Sequence, residues 1–213
     1  MPEDRDGVEP DPRWTGVLLV GGKSARMGTD KLRLPLPSGG CLADLPARAL
    51  AQACGACCSV RRADGPAFLP EGFEDLVDVA PGGGPLAGVV AAILAARTPW
   101  LLIVGGDMPA LTPRFLRRFM DHAAAEPGRA LMISERRLQP MPLALPLSLG
   151  AEVIERFRNG ERALRRAVPA VRLRLIEPAA LAVGERVTPW LSVNTPEEWQ
   201  RFSSAGLAVG SGA

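Results

Sequence analysis

The sequence of 213 residues lacks the features of several large protein classes. Its longest apolar run, residues 86–96, is about half of the roughly 20 residues that a membrane-spanning helix needs. The formal net charge is only +2 at pH 7, and 47% of the residues are hydrophobic, which excludes a disordered chain and gives no strong field for nucleic acid. Residues 1–13 lack the apolar core of a signal peptide. We therefore expect a soluble, cytoplasmic protein with neither nucleic acid nor a membrane as a partner.

Histidine and cysteine are too few for an obvious zinc site. His122 is the single histidine, and the four cysteines are Cys41, Cys54, Cys57 and Cys58. Cys54 and Cys57 have C-x-x-C spacing, but no second pair completes a tetrahedral set of ligands. The pattern favours thiols that pack as small apolar groups where a helix meets a strand, and a redox pair is the alternative.

Lysine is unusually rare. Of 25 basic residues only Lys23 and Lys31 are lysines, and both fall in the short segment 21–31. An ammonium is a compact charge, whereas a guanidinium is a wide fork, so the two groups are not interchangeable. A site that accepts only lysine would keep it in a chain that otherwise uses arginine.

Short apolar runs alternate with helix-period segments along most of the chain. Strands are predicted at residues 14–20, 75–79, 100–104, 130–134, 143–147 and 171–176. Helices are predicted at residues 43–53, 86–97, 113–125, 151–158, 161–168 and 196–202, with Thr112 and Thr195 as N-caps. The alternation indicates one three-layer α/β/α, Rossmann-like domain with a mostly parallel central sheet over residues 14–202, between a flexible arm (1–13) and a flexible tail (203–213).

Ligands of such folds bind outside the carboxyl ends of the strands, which draws attention to the loops at 21–31, 78–84 and 105–109. The first loop is rich in glycine and carries lysine and arginine, a composition that can cradle phosphates. It is not a P-loop, because Val17 stands where the earlier glycine belongs, and it lacks the G-x-G-x-x-G fingerprint. The alternative is a flexible turn that happens to be basic.

Two aspartates stand out by position. Of ten aspartates in the chain, only Asp78 and Asp107 lie directly at the ends of predicted strands that face these loops. A carboxylate beside bound phosphates is a natural ligand for magnesium. For Asp107 the alternative is an ordinary aspartate at a helix entry, since Thr112 caps a helix shortly afterwards.

The first loop carries a resemblance to a known family. Its pattern Gly21-Gly22-x-x-x-Arg26-Met27-Gly28-x-x-Lys31 resembles the signature of the nucleotidyltransferases that share a sugar-nucleotide synthesis fold. Within that group the chain most resembles the molybdenum cofactor guanylyltransferases. The further segments that match, in the family's order and within about residues 17–199, are Gly84-Pro85-Leu86-Ala87-Gly88, Asp107-Met108-Pro109, Gln139-Pro140, Gly160-Glu161-Arg162 and Val193-Asn194-Thr195-Pro196-Glu197-Glu198.

This resemblance implies a fold like that of the nucleotide-diphospho-sugar transferases and a magnesium-dependent reaction. GMP would pass from GTP to the terminal phosphate of a molybdopterin-type cofactor, with release of pyrophosphate. Transient contacts with proteins of cofactor biosynthesis or molybdoenzyme maturation are also implied. The residues implied as catalytic are Lys31, Arg26 and Asp107. Those implied as nucleotide-binding are Val20, Gly21, Gly22, Lys31, Asp78 and Asp107, with Asp78 facing the purine. The implied ligands of Mg²⁺ are Asp107 and Asn194, and the implied acceptor-binding residues are Gln139, Arg162 and Asn194.

The sequence departs from the family pattern at four places. Val20 adds bulk where the family has alanine, and Arg61 or Arg62 stands where an asparagine commonly ends the second strand. Ser192 replaces the first asparagine of Asn-x-Asn-Thr-Pro, and Pro146 replaces a frequent tyrosine. Two further interpretations are a cytidylyl- or sugar-nucleotide transferase on the same fold, and a non-catalytic module that binds a nucleotide or cofactor.

Overall fold

The computed structural model describes residues 9–21, 31–37, 39–65, 68–135, 138–181 and 188–204. Within these residues seven strands form one sheet in the order β3-β2-β1-β4-β6-β5-β7. The strands are β1 (Asp11–Leu19), β2 (Cys54–Arg61), β3 (Glu74–Val77), β4 (Trp100–Gly105), β5 (Ala130–Ser134), β6 (Leu138–Pro146) and β7 (Leu173–Ile176). Of these, β6 alone runs antiparallel to its neighbours. The predicted mostly parallel sheet is confirmed.

Helices cover both faces of the sheet. They are α1 (Asp44–Ala53), α2 (Gly84–Ala95), α3 (Pro113–Ala124), α4 (Gly150–Arg158), α5 (Leu164–Ala167), α6 (Pro178–Leu181) and α7 (Pro196–Ser204). Helices α1, α3 and α6 contribute to one buried apolar cluster, and α2, α4 and α5 to another. The predicted three-layer α/β/α arrangement is therefore confirmed.

Strand β4 shows how the sheet divides the core. Trp100, Leu102 and Val104 face the first cluster, whereas Leu101 and Ile103 face the second. This follows from the two-residue period of a strand, and all six residues of β4 are buried. A strand apolar on both faces is typical of the centre of a parallel sheet, where helices cover each side.

Several elements differ from the sequence prediction. Strand β1 begins at Asp11 rather than at residue 14, and β2 and α6 were not among the strands and helices predicted from the pattern. Strand β6 begins at Leu138, before the predicted residue 143. Its pairing with β4 starts only at Leu143, and its pairing with β5 shifts register between Leu131 and Ile133. Pro140 and Pro142 therefore lie where the sheet requires few backbone N–H donors, and the strand can include them. In the predicted helix 161–168, only Leu164–Ala167 is helical.

The last helix, α7, ties the C-terminal part of the chain to the segment after residue 30. Val193 and Phe202 pack against Leu36 and Leu42 in a third small cluster. Val193 N also donates to Asp107 O at 2.8 Å, just beyond β4. Packing and hydrogen bonding thus bring three distant parts of the chain to one end of the sheet.

A search of the described residues found no helix with the length and apolar character required to cross a bilayer.

Candidate active site

Lys31 lies at the centre of the polar cluster at the carboxyl end of β4. Its Nζ donates to Asp107 Oδ2 at 2.7 Å, to Asn194 Oδ1 at 2.9 Å and to Val193 O at 3.2 Å. An ammonium has three donors, so each can serve one of these acceptors. The side chains of Lys31 and Asp107 are only 15% and 19% exposed. We call Lys31, Asp107, Val193 and Asn194 the Lys31 cluster.

A glycine makes room for the carboxylate of the Lys31 cluster. A Cβ placed on Gly105 would lie 2.5 Å from Asp107 Oδ1, which is shorter than a van der Waals contact, so a larger residue here would displace the carboxylate. The next residue, Gly106, donates its N–H to Leu19 O at 3.0 Å and so holds the loop after β4 against the end of β1. The two glycines at the end of β4 therefore place Asp107 at the carboxyl end of the sheet.

A cleft opens beside the Lys31 cluster. It encloses about 730 Å³ of empty space, a figure that includes the solvent at its open mouth. Lys31 and Asp107 line the cleft at the end of β4, and Asp78 lines it beyond the end of β3, which β2 and β1 separate from β4 in the sheet; we call these two parts the walls of the cleft. The rest of the cleft is lined by residues at the ends of β1 and β2, by Leu32 beside Lys31, by the start of α2, by the two glycines at the end of β4 and by one residue of β6. These residues are Leu19, Val20, Gly21, Leu32, Val60, Arg61, Gly84, Pro85, Gly88, Gly105, Gly106 and Met141.

Asp78 differs from the other carboxylate of the cleft. Its Oδ1 is buried, and no donor among the described residues reaches it. Burial is the main cause that raises the pKa of Asp78; the nearby Asp64 carboxylate also raises it, whereas the Arg62 guanidinium lowers it. The backbone N–H of Asp78 donates to Arg61 O at 2.9 Å, which fixes the loop at the end of β3 against β2. The side chain is therefore an acceptor that the described residues leave unused.

The two arginines at the end of β2 are engaged with other carboxylates. Arg61 Nε donates to Asp75 Oδ1 at 3.0 Å and to Asp75 Oδ2 at 3.1 Å. Asp75 pairs in register with Ser59, two residues before Arg61, so this bond draws the guanidinium back along the strand. Arg62 forms an ion pair with Asp64. Its side chain also lies close to Gly21, because a Cβ placed on Gly21 would be only 3.0 Å from Arg62 Cγ.

None of the three predicted acceptor-binding residues belongs to the lining of the cleft: Asn194 contacts Lys31, which does line it, and Gln139 and Arg162 have other partners. Gln139 Nε2 donates to Glu135 Oε2 at 3.5 Å. Arg162 stacks its guanidinium 4.5 Å from the centre of the Phe157 ring and donates to Phe157 O at 2.8 Å. The Arg162 carbonyl oxygen is nevertheless 3.6 Å from the position of a Cβ on Gly84, so its backbone borders the cleft wall.

The geometry thus joins some predicted residues and separates others. Lys31, Asp107 and Asn194 are in direct contact, and Val20, Gly21 and Asp78 line the same cleft. Gly22, Arg26 and Lys23 lie outside the described residues.

Comparisons with known proteins identify the family of the chain. A family model described as a MobA-like NTP transferase domain matches residues 16–174, well over half of the chain. The chain belongs to the MobA-like NTP transferase family.

Relatives of known name extend the match over most of the chain. A probable molybdenum cofactor guanylyltransferase of Opitutus terrae is 36% identical over 198 residues, 87% of this chain and 93% of the relative. A protein of the same name from Deinococcus radiodurans is 33% identical, over 90% of this chain and 95% of the relative. The predicted family and the prediction that the chain is a nucleotidyltransferase are therefore confirmed.

Solved structures show the same fold. Molybdopterin-guanine dinucleotide biosynthesis protein A from Archaeoglobus fulgidus superposes with a TM-score of 0.74 at 18% identity, over 92% of this chain and 100% of that one. A 2-C-methyl-D-erythritol 4-phosphate cytidylyltransferase from Thermus thermophilus gives 0.65 at 16% identity, over 89% and 97%. At such low identity the likeness concerns the fold alone.

Sequence reasoning missed several contributors to the site of this family member, and two of them show why. The carbonyl of Val193 contacts Lys31, and Met141 lines the cleft. A main-chain acceptor leaves no mark in the residue type. Met141 lies between two prolines, in a part of the sequence that was not predicted as strand.

Cys54 and Cys58 are buried among apolar residues, as the sequence favours, and the half-buried Cys57 packs against the same cluster as Cys54, whereas Cys41 is half-buried outside these clusters. Cys54 follows α1 directly, where a helix meets a strand, and Cys58 lies on the opposite face of β2. Burial raises the pKa of Cys57 to about 11 and that of Cys58 to about 12, which keeps both thiols protonated at neutral pH.

Proposed function

We propose that this nucleotidyltransferase moves GMP from GTP to the terminal phosphate of a molybdopterin-type cofactor and releases pyrophosphate. The observation that carries the proposal is the pairing, across one cleft, of the Lys31 cluster with the unused acceptor Asp78. One wall is suited to phosphates and the other to a base that donates hydrogen bonds. The names of the relatives from Opitutus terrae and Deinococcus radiodurans support the choice of guanine and of the acceptor.

We propose Mg²⁺ as the cofactor, held by Asp107 and Asn194. Their side-chain oxygens, a carboxylate and an amide, are hard ligands, and both already bind one cation, the Lys31 ammonium. Among the described residues no group of three or more His, Cys, Asp or Glu side chains is placed to hold a metal. Magnesium commonly takes one or two protein carboxylates and completes its shell with water and substrate phosphates, so this donor set fits an ion that arrives with a nucleotide. When bound, the ion would neutralise charge on the triphosphate and on the leaving pyrophosphate.

Lys31 would contribute positive charge at the same place. A phosphate oxygen that reaches its ammonium must replace one of the three present acceptors. The longest of these contacts, 3.2 Å to Val193 O, is the one most easily exchanged. The ammonium would then bind a phosphate while it remains anchored to Asp107 and Asn194, so little reorganisation accompanies the reaction.

Asp78 would select the base. Guanine presents N1–H and the N2 amine side by side, and a single carboxylate can accept from both. Adenine and cytosine do not present this pair. A buried acceptor left without a donor disfavours the wrong base, which is the physical source of the selectivity.

The reaction needs no general base on the protein. The attacking phosphate is already ionised at neutral pH, so catalysis consists of holding the two substrates in line and stabilising the charge that develops on pyrophosphate. Arg162, whose backbone borders the cleft at Gly84, and Gln139, near the start of β6, would meet the pterin-bearing substrate. To do so, Arg162 must release its stacking contact with Phe157.

Pyrophosphate release tests the proposal directly. We expect release with GTP and molybdopterin together, far less with ATP, CTP or UTP, and none without a divalent cation. A preference for CTP would favour the cytidylyltransferase alternative. Nucleotide binding without release under any of these conditions would favour the non-catalytic module.

A further inference from the structure

The backbone beside Asn194 is held by a carboxylate outside the lining of the cleft. Glu198 Oε2 accepts from Asn194 N at 2.6 Å and from Thr195 N at 3.1 Å. In return, Glu198 N donates to Thr195 Oγ1 at 3.2 Å. Thr195 and Glu198 therefore form a capping box at the start of α7 (Pro196–Ser204).

This capping box extends one residue further than helix capping requires. The usual box joins the side chain of the third helical residue to the N–H of the N-cap residue, here Thr195. In this chain the shorter bond of Glu198 goes to the preceding residue, Asn194. That bond adds nothing to the first turn of the helix, so capping alone does not account for it.

The other side of the Asn194 segment is attached to the Lys31 cluster. Asn194 Oδ1 accepts from Lys31 Nζ at 2.9 Å, and its Nδ2 donates to Ser192 O at 3.3 Å. The preceding residue, Val193, donates its N–H to Asp107 O at 2.8 Å. Asp107 thus holds the backbone at Val193 and Glu198 holds it at Asn194, while the Asn194 amide oxygen accepts from the Lys31 ammonium.

We propose that Glu198 is a positioning residue that holds Asn194 Oδ1 on Lys31 and so preserves the geometry of the Lys31 cluster. Without the Glu198 carboxylate, Asn194 N and Thr195 N lose their acceptor, and the segment is free to turn at residue 194. Lys31 then loses one of three acceptors and becomes more accessible. Displacements of about 1 Å in a supporting shell can reduce turnover by a factor of about 100. The effect on turnover rests on the proposed function, whereas the effect on Lys31 does not.

Three variants separate positioning from helix capping. Glu198→Ala removes both bonds of the carboxylate, and Glu198→Gln keeps an oxygen that can accept them. Thr195→Ala is the matched control, because it breaks the other half of the same capping box and leaves the Glu198 carboxylate in place. The measurements are Tm, kcat and KM for GTP, and acylation of Lys31 by an amine reagent in the free protein, read by mass spectrometry. Lys23 is an internal reference, since the chain has no third lysine.

Glu198→Ala and Thr195→Ala should lower Tm by similar amounts, about 2–4 °C each, as expected for loss of a cap. Only Glu198→Ala should increase acylation of Lys31 relative to Lys23, by about threefold or more, and reduce kcat by about tenfold or more while KM changes less than about threefold. Glu198→Gln should stay within about twofold of wild type in acylation.

Equal acylation and kcat in Glu198→Ala and Thr195→Ala would overturn the proposal, and so would wild-type values of both in Glu198→Ala. If wild type transfers no nucleotide at all, the proposed function fails, but the acylation ratio still decides the role of Glu198.

Discussion

The two walls of the cleft differ in how far the protein satisfies its own polar groups. At the Lys31 cluster three oxygens surround one ammonium, and both ionised side chains have partners. On the opposite wall Asp78 Oδ1 is buried without a donor from the described residues. The neighbouring Arg61, which could have served it, is bound to Asp75 instead.

Under the proposed function, this difference separates two tasks, the binding of phosphates and the selection of a base. Charge that must stabilise phosphates is most effective when it is fixed beforehand, and the Lys31 cluster provides such a fixed arrangement. Selection of a base benefits from an acceptor that only the correct ligand satisfies. We call the wall with the Lys31 cluster the satisfied wall and the wall with Asp78 the unsatisfied wall. Substitutions in the satisfied wall should therefore reduce turnover, and substitutions in the unsatisfied wall should change base selectivity and stability.

The largest expected effect is that of Asp107→Asn. The variant loses the negative charge that would hold the metal but keeps an oxygen that can accept from Lys31. Turnover should fall at least about 100-fold, as for other groups that stabilise charge in a transition state, while Tm stays nearly unchanged. Pyrophosphate release and thermal unfolding measure the two effects. Turnover within about threefold of wild type would show that Asp107 is not the metal ligand.

Lys31→Arg tests whether the satisfied wall depends on shape as well as charge. Three acceptors at 2.7, 2.9 and 3.2 Å meet one nitrogen, and a planar fork cannot place a single nitrogen there. We expect kcat/KM for GTP to fall by about 10- to 100-fold. Lys23→Arg is the control and should be nearly silent. Equal sensitivity at the two lysines would contradict the special role of Lys31.

Asp78→Asn tests selectivity at the unsatisfied wall. An amide presents a donor as well as an acceptor, so the preference for GTP over ATP and CTP should fall by about tenfold or more. Arg61→Ala should erode it less, because the Arg61 guanidinium is directed toward Asp75. Competition assays with the three nucleotides compare the variants. A larger loss in Arg61→Ala would assign base selection to the arginine.

The smallest expected effect is on stability. Burial raises the pKa of Asp78 above its ordinary value of 3.8, so the folded state disfavours the ionised form. Wild type therefore loses stability as pH rises from below the ordinary pKa through the raised one, and Asp78→Asn does not. At neutral pH the variant should therefore melt at a higher temperature than wild type, and the difference should disappear at pH values below the ordinary pKa of the carboxyl. A difference in Tm that is independent of pH would show that the carboxylate charge is not its cause.

Much of the fold was predictable because its signals are local. The apolar run of β4, the glycines after it and the Thr112 cap, whose hydroxyl accepts from Phe115 N at 3.1 Å, each depend on neighbouring residues. The beginning of β6 was not predictable, because its tolerance of Pro140 and Pro142 depends on how β6 pairs with β4 and β5, two strands from other parts of the sequence. The Thr195-x-x-Glu198 spacing was a usable signal for the capping box, but its bond to Asn194 was not.

The candidate site divides in the same way. The sequence by itself determined the alternation of strands and helices, the aspartates at strand ends and the segment that holds both lysines, because these follow from residue types and their spacing. Only the tertiary structure decided that Lys31 meets Asp107, 76 residues away, and Asn194, 163 residues away. It also decided that Arg61 turns to Asp75 while Asp78 keeps an unused oxygen. These contacts depend on which strands lie side by side and on which way each side chain extends, and neither is encoded in any short stretch of sequence.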